Sequence, residues 1–195
     1  MAVLVNLTNS LIIFTNPSPQ IYKMTKSKMS SQQDQYWMHY ALGLAAKAAA
    51  QDEIPVGAVL VKDNTSIGEG WNESIMLNDP SAHAEMQAIR QAGQVLGNYR
   101  LIDTTLYVTL EPCTMCAGLL VHSRIQRLVF GAYDAKTGSA GSIMNVLRDG
   151  RLNHQVSVQG GVLGQECGDL ISVFFRRRRA AKKALKPKRG KRQVR

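Results

Sequence analysis

The chain has 195 residues, enough for one domain with some length left over, and 45% of them are hydrophobic, an ordinary share for a globular protein. Its net charge of +10 is concentrated: residues 176–195 hold twelve of the 24 Lys and Arg and no acidic residue, so residues 1–175 carry twelve basic against fourteen acidic groups, a net −2. No run reaches the roughly 18 apolar residues that span a bilayer, and three cysteines, an odd number, argue against a complete disulfide framework.

In chain order, residues 1–28 have apolar patches at Val3–Val5 and Leu11–Phe14, interrupted by Asn6, Thr8, Asn9 and Ser10, and the first basic residue is Lys23. A secretory signal needs a basic start and an unbroken apolar stretch. The pattern instead predicts a disordered extension, or a start at Met24 or Met29, and a cytoplasmic protein. From about Gln32, Trp37, Tyr40, Ala41, Leu44, Ala45 and Ala48 recur at helical spacing. Ile54-Pro55 breaks the helix, and 56–61 reads as a buried strand. Asp63-Asn64 turns the chain into a returning strand over 67–71, in which Gly68 and Gly70 are weak strand formers. Residues 78–81 (Asn-Asp-Pro-Ser) predict a cap for a helix over 82–92. Strands follow at 106–110, 127–132 and 155–160, with a helix at 113–123 and a last helix from about Gln165 into the basic arm. Strands alternating with helices predict a three-layer α/β/α sandwich around a five-stranded mixed sheet. The predicted division is an extension over 1–28, one domain over 29–185 and a basic tail over 186–195.

Two short segments carry the chemistry: His83-Ala-Glu85, and Pro112-Cys113-Thr-Met-Cys116, each where the chain enters a helix. Two cysteines three apart at a helix start present both sulfurs to one side. The helix N-terminus favours thiolate, the form that binds zinc. One histidine and two cysteines make three ligands, the number of a catalytic zinc site, which leaves a place for water. His39, His122, His154 and Cys167 lack ligand spacing for a fourth. Glu85 is badly placed to ligate beside His83 but can reach the same cleft as a proton carrier.

H-x-E at one helix start, followed about thirty residues later by strand, P-C-x-x-C and helix, resembles the cytidine deaminase-like superfamily, whose signature this is. Finer similarity over residues 32–180 is to the bacterial tRNA-specific adenosine deaminases. It is carried by 54–72, by 98–103 (Asn-Tyr-Arg-Leu-Ile-Asp), by 110–118 (Leu-Glu-Pro-Cys-Thr-Met-Cys-Ala-Gly), by 122–125 and by 134–138. The resemblance implies one zinc per subunit held by His83, Cys113 and Cys116, with Glu85 as acid and base. It implies Asn72 as a contact to a flipped-out base, Val56 and Leu110 as pocket walls, and Asp134 at the pocket mouth. It also implies a homodimer acting on a tRNA anticodon stem-loop, converting the wobble adenosine to inosine.

Loop bases are bound by aromatic stacking and phosphate contacts. Phe174, Phe175 and Arg178, at the head of the basic run, therefore join the predicted substrate-binding set. Two adjacent phenylalanines cannot both face the core squarely. Two other readings stay open: a deaminase of a free base or nucleotide, against which the basic arm argues, and a noncatalytic RNA-binding protein with structural zinc, against which Glu85 argues.

Overall fold

In a computed structural model of the protein, the backbone is described for residues 4–7, 10–13 and 26–185, and side chains from Ser31 to Leu185. The expectations for the rest of 1–28 and for 186–195 lie outside the described residues. Within the extension, β1 (Leu4–Leu7) and β2 (Ser10–Ile13) pair antiparallel as a sheet of their own.

The main sheet has five strands: β3 (Gly57–Lys62), β4 (Thr65–Trp71), β5 (Thr105–Leu110), β6 (Arg127–Ala132) and β7 (Ser157–Gln159). They lie in the order β4-β3-β5-β6-β7. β3 pairs antiparallel with both β4 and β5, whereas β5, β6 and β7 run parallel. The sheet is therefore mixed, as expected.

Its two faces follow from strand alternation. Ala58 and Leu60 of β3, Leu106 and Val108 of β5, and Leu128 and Phe130 of β6 face one layer. That layer holds α3 (Ala84–Leu96), through Ala84, Ala88, Ile89 and Ala92, and α4 (Thr114–His122), through Ala117, Leu120 and Val121. Val59, Val61, Tyr107 and Val129 face the other. There α1 (Lys26–Ala50) packs through Trp37, Met38, Ala41 and Leu44, and α5 (Gly164–Ala184) packs through Cys167. Arg127 of β6 clasps Asp34 of α1 with two hydrogen bonds of 2.7 and 2.8 Å, and the Tyr107 hydroxyl donates to the same carboxylate at 3.0 Å.

Several element boundaries differ from the expectation. α1 starts at Lys26, six residues before Gln32, because that first stretch is polar and gives no apolar period to read. The four-residue α2 (Ser74–Leu77) and the 3-10 turn Val146–Arg148 were not predicted, being too short to show a period. Gly68 and Gly70, weak strand formers, are needed where they stand. A Cβ on either would meet an α3 carbonyl at 2.2 Å, Ala88 for Gly68 and Ala84 for Gly70. Their absence of side chain lets the first turns of α3 lie directly on β4.

Candidate active site

The chain enters α3 through His83 and α4 through Cys113, each the residue before its helix and each in extended backbone. Two helix N-termini, with their unpaired N–H groups and partial positive charge, thus meet at one place. Cys116 lies one turn into α4 and is fully buried.

The His83 Nδ1 atom is 3.8 Å from Cys113 Sγ and 3.6 Å from Cys116 Sγ. Nitrogen and sulfur bound tetrahedrally to zinc at their usual bond lengths stand about 3.6 Å apart. The three side chains therefore fit a zinc ion in type, number and spacing. Among the described residues they form the one group of three His, Cys, Asp or Glu side chains whose ligand atoms lie within 4.8 Å of one another. The other candidates for a fourth ligand are elsewhere: His39 and His122 are exposed, His154 bonds the Ile125 carbonyl at 2.7 Å, and Cys167 is buried against Gly131.

Electrostatics divide the cluster, easing one thiol toward thiolate while the neighbouring groups hold their protons more tightly. A hydrogen bond from Cys116 pulls the Cys113 thiol down to about 4, against the opposing effect of burial and with help from His83. The same bond and burial push Cys116 up. His83 is raised, first by its bond with Cys113, which outweighs its burial. Glu85, in the first turn of α3, is 4% exposed, and burial raises its carboxyl.

The residues expected around this cluster fall into two groups. Asn72 is buried, and its Oδ1 accepts the Ala84 N–H at 2.9 Å. This corrects the expected cap of α3. Asp79 accepts instead from Ser81, at 2.7 Å from N and 2.8 Å from Oγ, and the side chain serving the helix comes from the end of β4. No local pattern signals a cap donated from another element. Val56 is buried in the α3/α4 core and Leu110 is partly buried against both cores. Asp134 accepts from Lys136 N at 2.9 Å, Thr137 N at 3.3 Å and Thr137 Oγ1 at 2.6 Å. Those bonds outweigh burial and hold its carboxyl below the usual carboxylate value.

On α5 the expectation needs correction. Phe174 is buried, only 5% exposed, and therefore packs rather than stacks on substrate, while Phe175 is 39% exposed. A helix turns 100° per residue, so of two neighbours one faces in. Arg178 is not free: its Nη1 donates to the Asp52 carbonyl at 3.2 Å and lies 3.4 Å from Asp52 Oδ2, while Arg177 reaches Oδ1 at 2.5 Å. The missed partner, Asp52, sits at positive φ in the turn after α1 and is distant from the arm in sequence. Also missed is Glu111, a carboxylate 2% exposed beside the cluster.

A profile of the cytidine and deoxycytidylate deaminase zinc-binding region matches residues 31–132, which include His83, Glu85, Cys113 and Cys116. The Haemophilus influenzae tRNA-specific adenosine deaminase is 55% identical over 164 residues, covering 84% of this chain and 95% of its own. The Bacillus subtilis tRNA-specific adenosine deaminase is 47% identical over 154 residues, covering 79% and 96%. A solved structure from a study of A-to-I editing by tRNA:A34 deaminases at the wobble position of transfer RNA aligns with a TM-score of 0.67 and 41% identity, over 69% of this chain and 98% of that one.

Proposed function

Because the chain belongs to the tRNA-specific adenosine deaminases, a zinc-dependent deaminase family, we propose that it hydrolyses the wobble adenosine of a tRNA anticodon loop to inosine. The observation that carries the reading is the His83, Cys113 and Cys116 cluster at two helix N-termini, with buried Glu85 one residue into α3. His83 Nδ1 and the two thiolates would hold the metal. Zinc, when bound, supplies the Lewis acidity that makes water a nucleophile near neutral pH.

The chain's own residues supply the rest. Glu85 accepts a proton from the attacking water and returns it to the departing nitrogen, so water and adenosine become inosine and ammonia. Its raised carboxyl suits both halves of that task, since one group must be base and then acid. The adenosine must leave the loop stack to reach the cluster. Asn72 has its carbonyl committed to Ala84 N–H, which fixes the amide plane and leaves the NH₂ group to meet the base. Val56 and Leu110 flank the base as apolar walls, and Asp134 stands at the mouth. Phe175 and the unpaired charge of the arm meet the RNA outside the pocket.

Among the described residues no helix is long and apolar enough to cross a membrane. A cytoplasmic homodimer is part of the same proposal. The exposed apolar side chains of Ile75, Met76 and Leu77 on α2, each about half exposed, are consistent with a partner surface.

Incubating the zinc-loaded protein with an anticodon stem-loop, and separately with free adenosine, cytidine and guanine, tests this directly. Inosine should form from the stem-loop alone. Turnover of a free base or nucleoside at a comparable rate would point to the metabolite deaminase instead.

A further inference from the structure

Glu111 lies two residues before Cys113, and the chemistry above makes no use of it. Four donors converge on its buried carboxylate. The Asp134 N–H donates to Oε2 at 3.0 Å, the Ala140 and Ser142 N–H groups donate to Oε1 at 3.0 Å each, and the Ser142 hydroxyl also donates to Oε2. All four donors come from one loop, residues 133–145. The loop is also tied to the start of α4. Ser139 N–H donates to the Pro112 carbonyl at 2.8 Å, the Thr114 and Ser139 hydroxyls are 2.8 Å apart, and Cys113 pairs with Gly138 in a single antiparallel bridge. A Cβ at position 138 would stand 2.4 Å from Glu111 Oε2, so glycine is required there for the loop to close on the carboxylate.

The inner edge of this loop is thus rigidly held beside the cluster, while its outer edge is apolar and open to solvent. Tyr133 is 65% exposed, Ile143 56% and Met144 53%, next to Met115 at 39% in the first turn of α4. Flexible thioether and aromatic groups at the lip of a polar site suit flat faces that must slide in and leave.

We propose, resting on the reading given above, that Glu111 is a positioning residue: it fixes the 133–145 loop as the wall that receives the nucleotides flanking the reacting adenosine. It acts on substrate binding and leaves the chemical step to Glu85. The donor pattern makes this specific. Three of the four groups are backbone N–H groups that can only donate, and they reach both carboxylate oxygens, so both atoms at the end of residue 111 must accept. A glutamine at 111 can accept from Ala140 and Ser142 N–H with its oxygen and donate to the Ser142 hydroxyl, but its NH₂ then faces the Asp134 N–H, donor against donor. Glu111→Gln therefore releases the loop at Asp134, the residue at the pocket mouth, while leaving Cys113 and Cys116 untouched.

The test measures kcat, KM and zinc content on an anticodon stem-loop, together with stem-loop affinity in an inactive Glu85→Gln background. Glu111→Gln should keep its zinc and keep kcat within about threefold. Its KM, and the Kd in the inactive background, should rise by about tenfold, the effect of one lost charge-assisted hydrogen bond. Ser142→Ala, which removes one donor and adds no clash, should raise KM by about threefold with kcat unchanged. A fall in kcat or zinc content with KM unmoved would overturn the proposal. So would wild-type KM in Ser142→Ala, which decides the matter alone if Glu111→Gln does not fold. A wild-type protein that forms no inosine would instead defeat the functional reading on which the proposal stands.

Discussion

The cluster end of the molecule and the basic arm of α5 both handle charge, and they do so in opposite ways. At the cluster, Glu85, Glu111, Asn72 and Cys116 are buried, and partners drawn from several elements hold them. On α5, Arg176, Arg177, Arg178 and Arg179 are exposed, and the two ion pairs seen there, from Arg177 and Arg178 to Asp52, lie open to water. Exposed pairs contribute little because solvent screens them. Buried polar groups, once satisfied, hold a single geometry. The groups proposed to carry the chemistry therefore sit where geometry is fixed, and those proposed to meet RNA sit where water reaches them.

The largest expected effect falls on the cluster. Glu85→Gln should lower kcat on a stem-loop by about 10²–10⁴, with Kd for the stem-loop unchanged. Parallel losses in kcat and affinity would erase the distinction between the two regions.

Next come the two phenylalanines at the head of the arm. Phe174→Ala should cost about 3 kcal/mol of unfolding free energy, whereas Phe175→Ala should stay within about 0.5 kcal/mol and weaken only RNA binding. Denaturant unfolding of both variants checks this. Equal destabilisation would mean that α5 presents neither ring to substrate.

A smaller effect is expected from charge. Replacing Arg176 and Arg179 with Gln should weaken stem-loop binding at low salt and flatten the dependence of log K on log salt by about one unit per lost phosphate contact. kcat should not move. The Asp52→Asn variant should shift the same plot in the opposite direction, by freeing Arg177 and Arg178.

The smallest effect concerns Asp134. Its folded carboxyl lies below the ordinary value of 3.8. A lowered folded value stabilises the native state above pH 3.8, and the stabilisation is lost as the pH falls through the folded value. Asp134→Asn should flatten that acid limb by lowering stability slightly above pH 3.8, pH 7 included, while stability at the acid end stays nearly as it was. An unchanged acid limb would show that the turn bonds of Asp134 are not held in solution.

Much of this was readable in the chain. The alternation of strands and helices along the chain, the H-x-E and P-C-x-x-C segments and the three-ligand count all rest on local spacing, and local spacing survives folding. What was hidden depends on contacts between distant segments. Asn72 capping α3, Asp52 clasping the arm and Glu111 holding the 133–145 loop each join residues far apart in sequence. Helical period could state that only one of Phe174 and Phe175 faces inward, but the choice between them follows from how α5 lies on the sheet. Asn78-Asp79-Pro80-Ser81 misled for a related reason. Its capping chemistry is real, yet Asp79 spends it on Ser81 within the loop.

X-ray absorption at the zinc edge of the loaded protein tests the central claim most directly. Two sulfur and one nitrogen ligand from the chain, with one oxygen from solvent, is the expected shell. A shell of four protein atoms would make the metal structural and contradict a hydrolytic site.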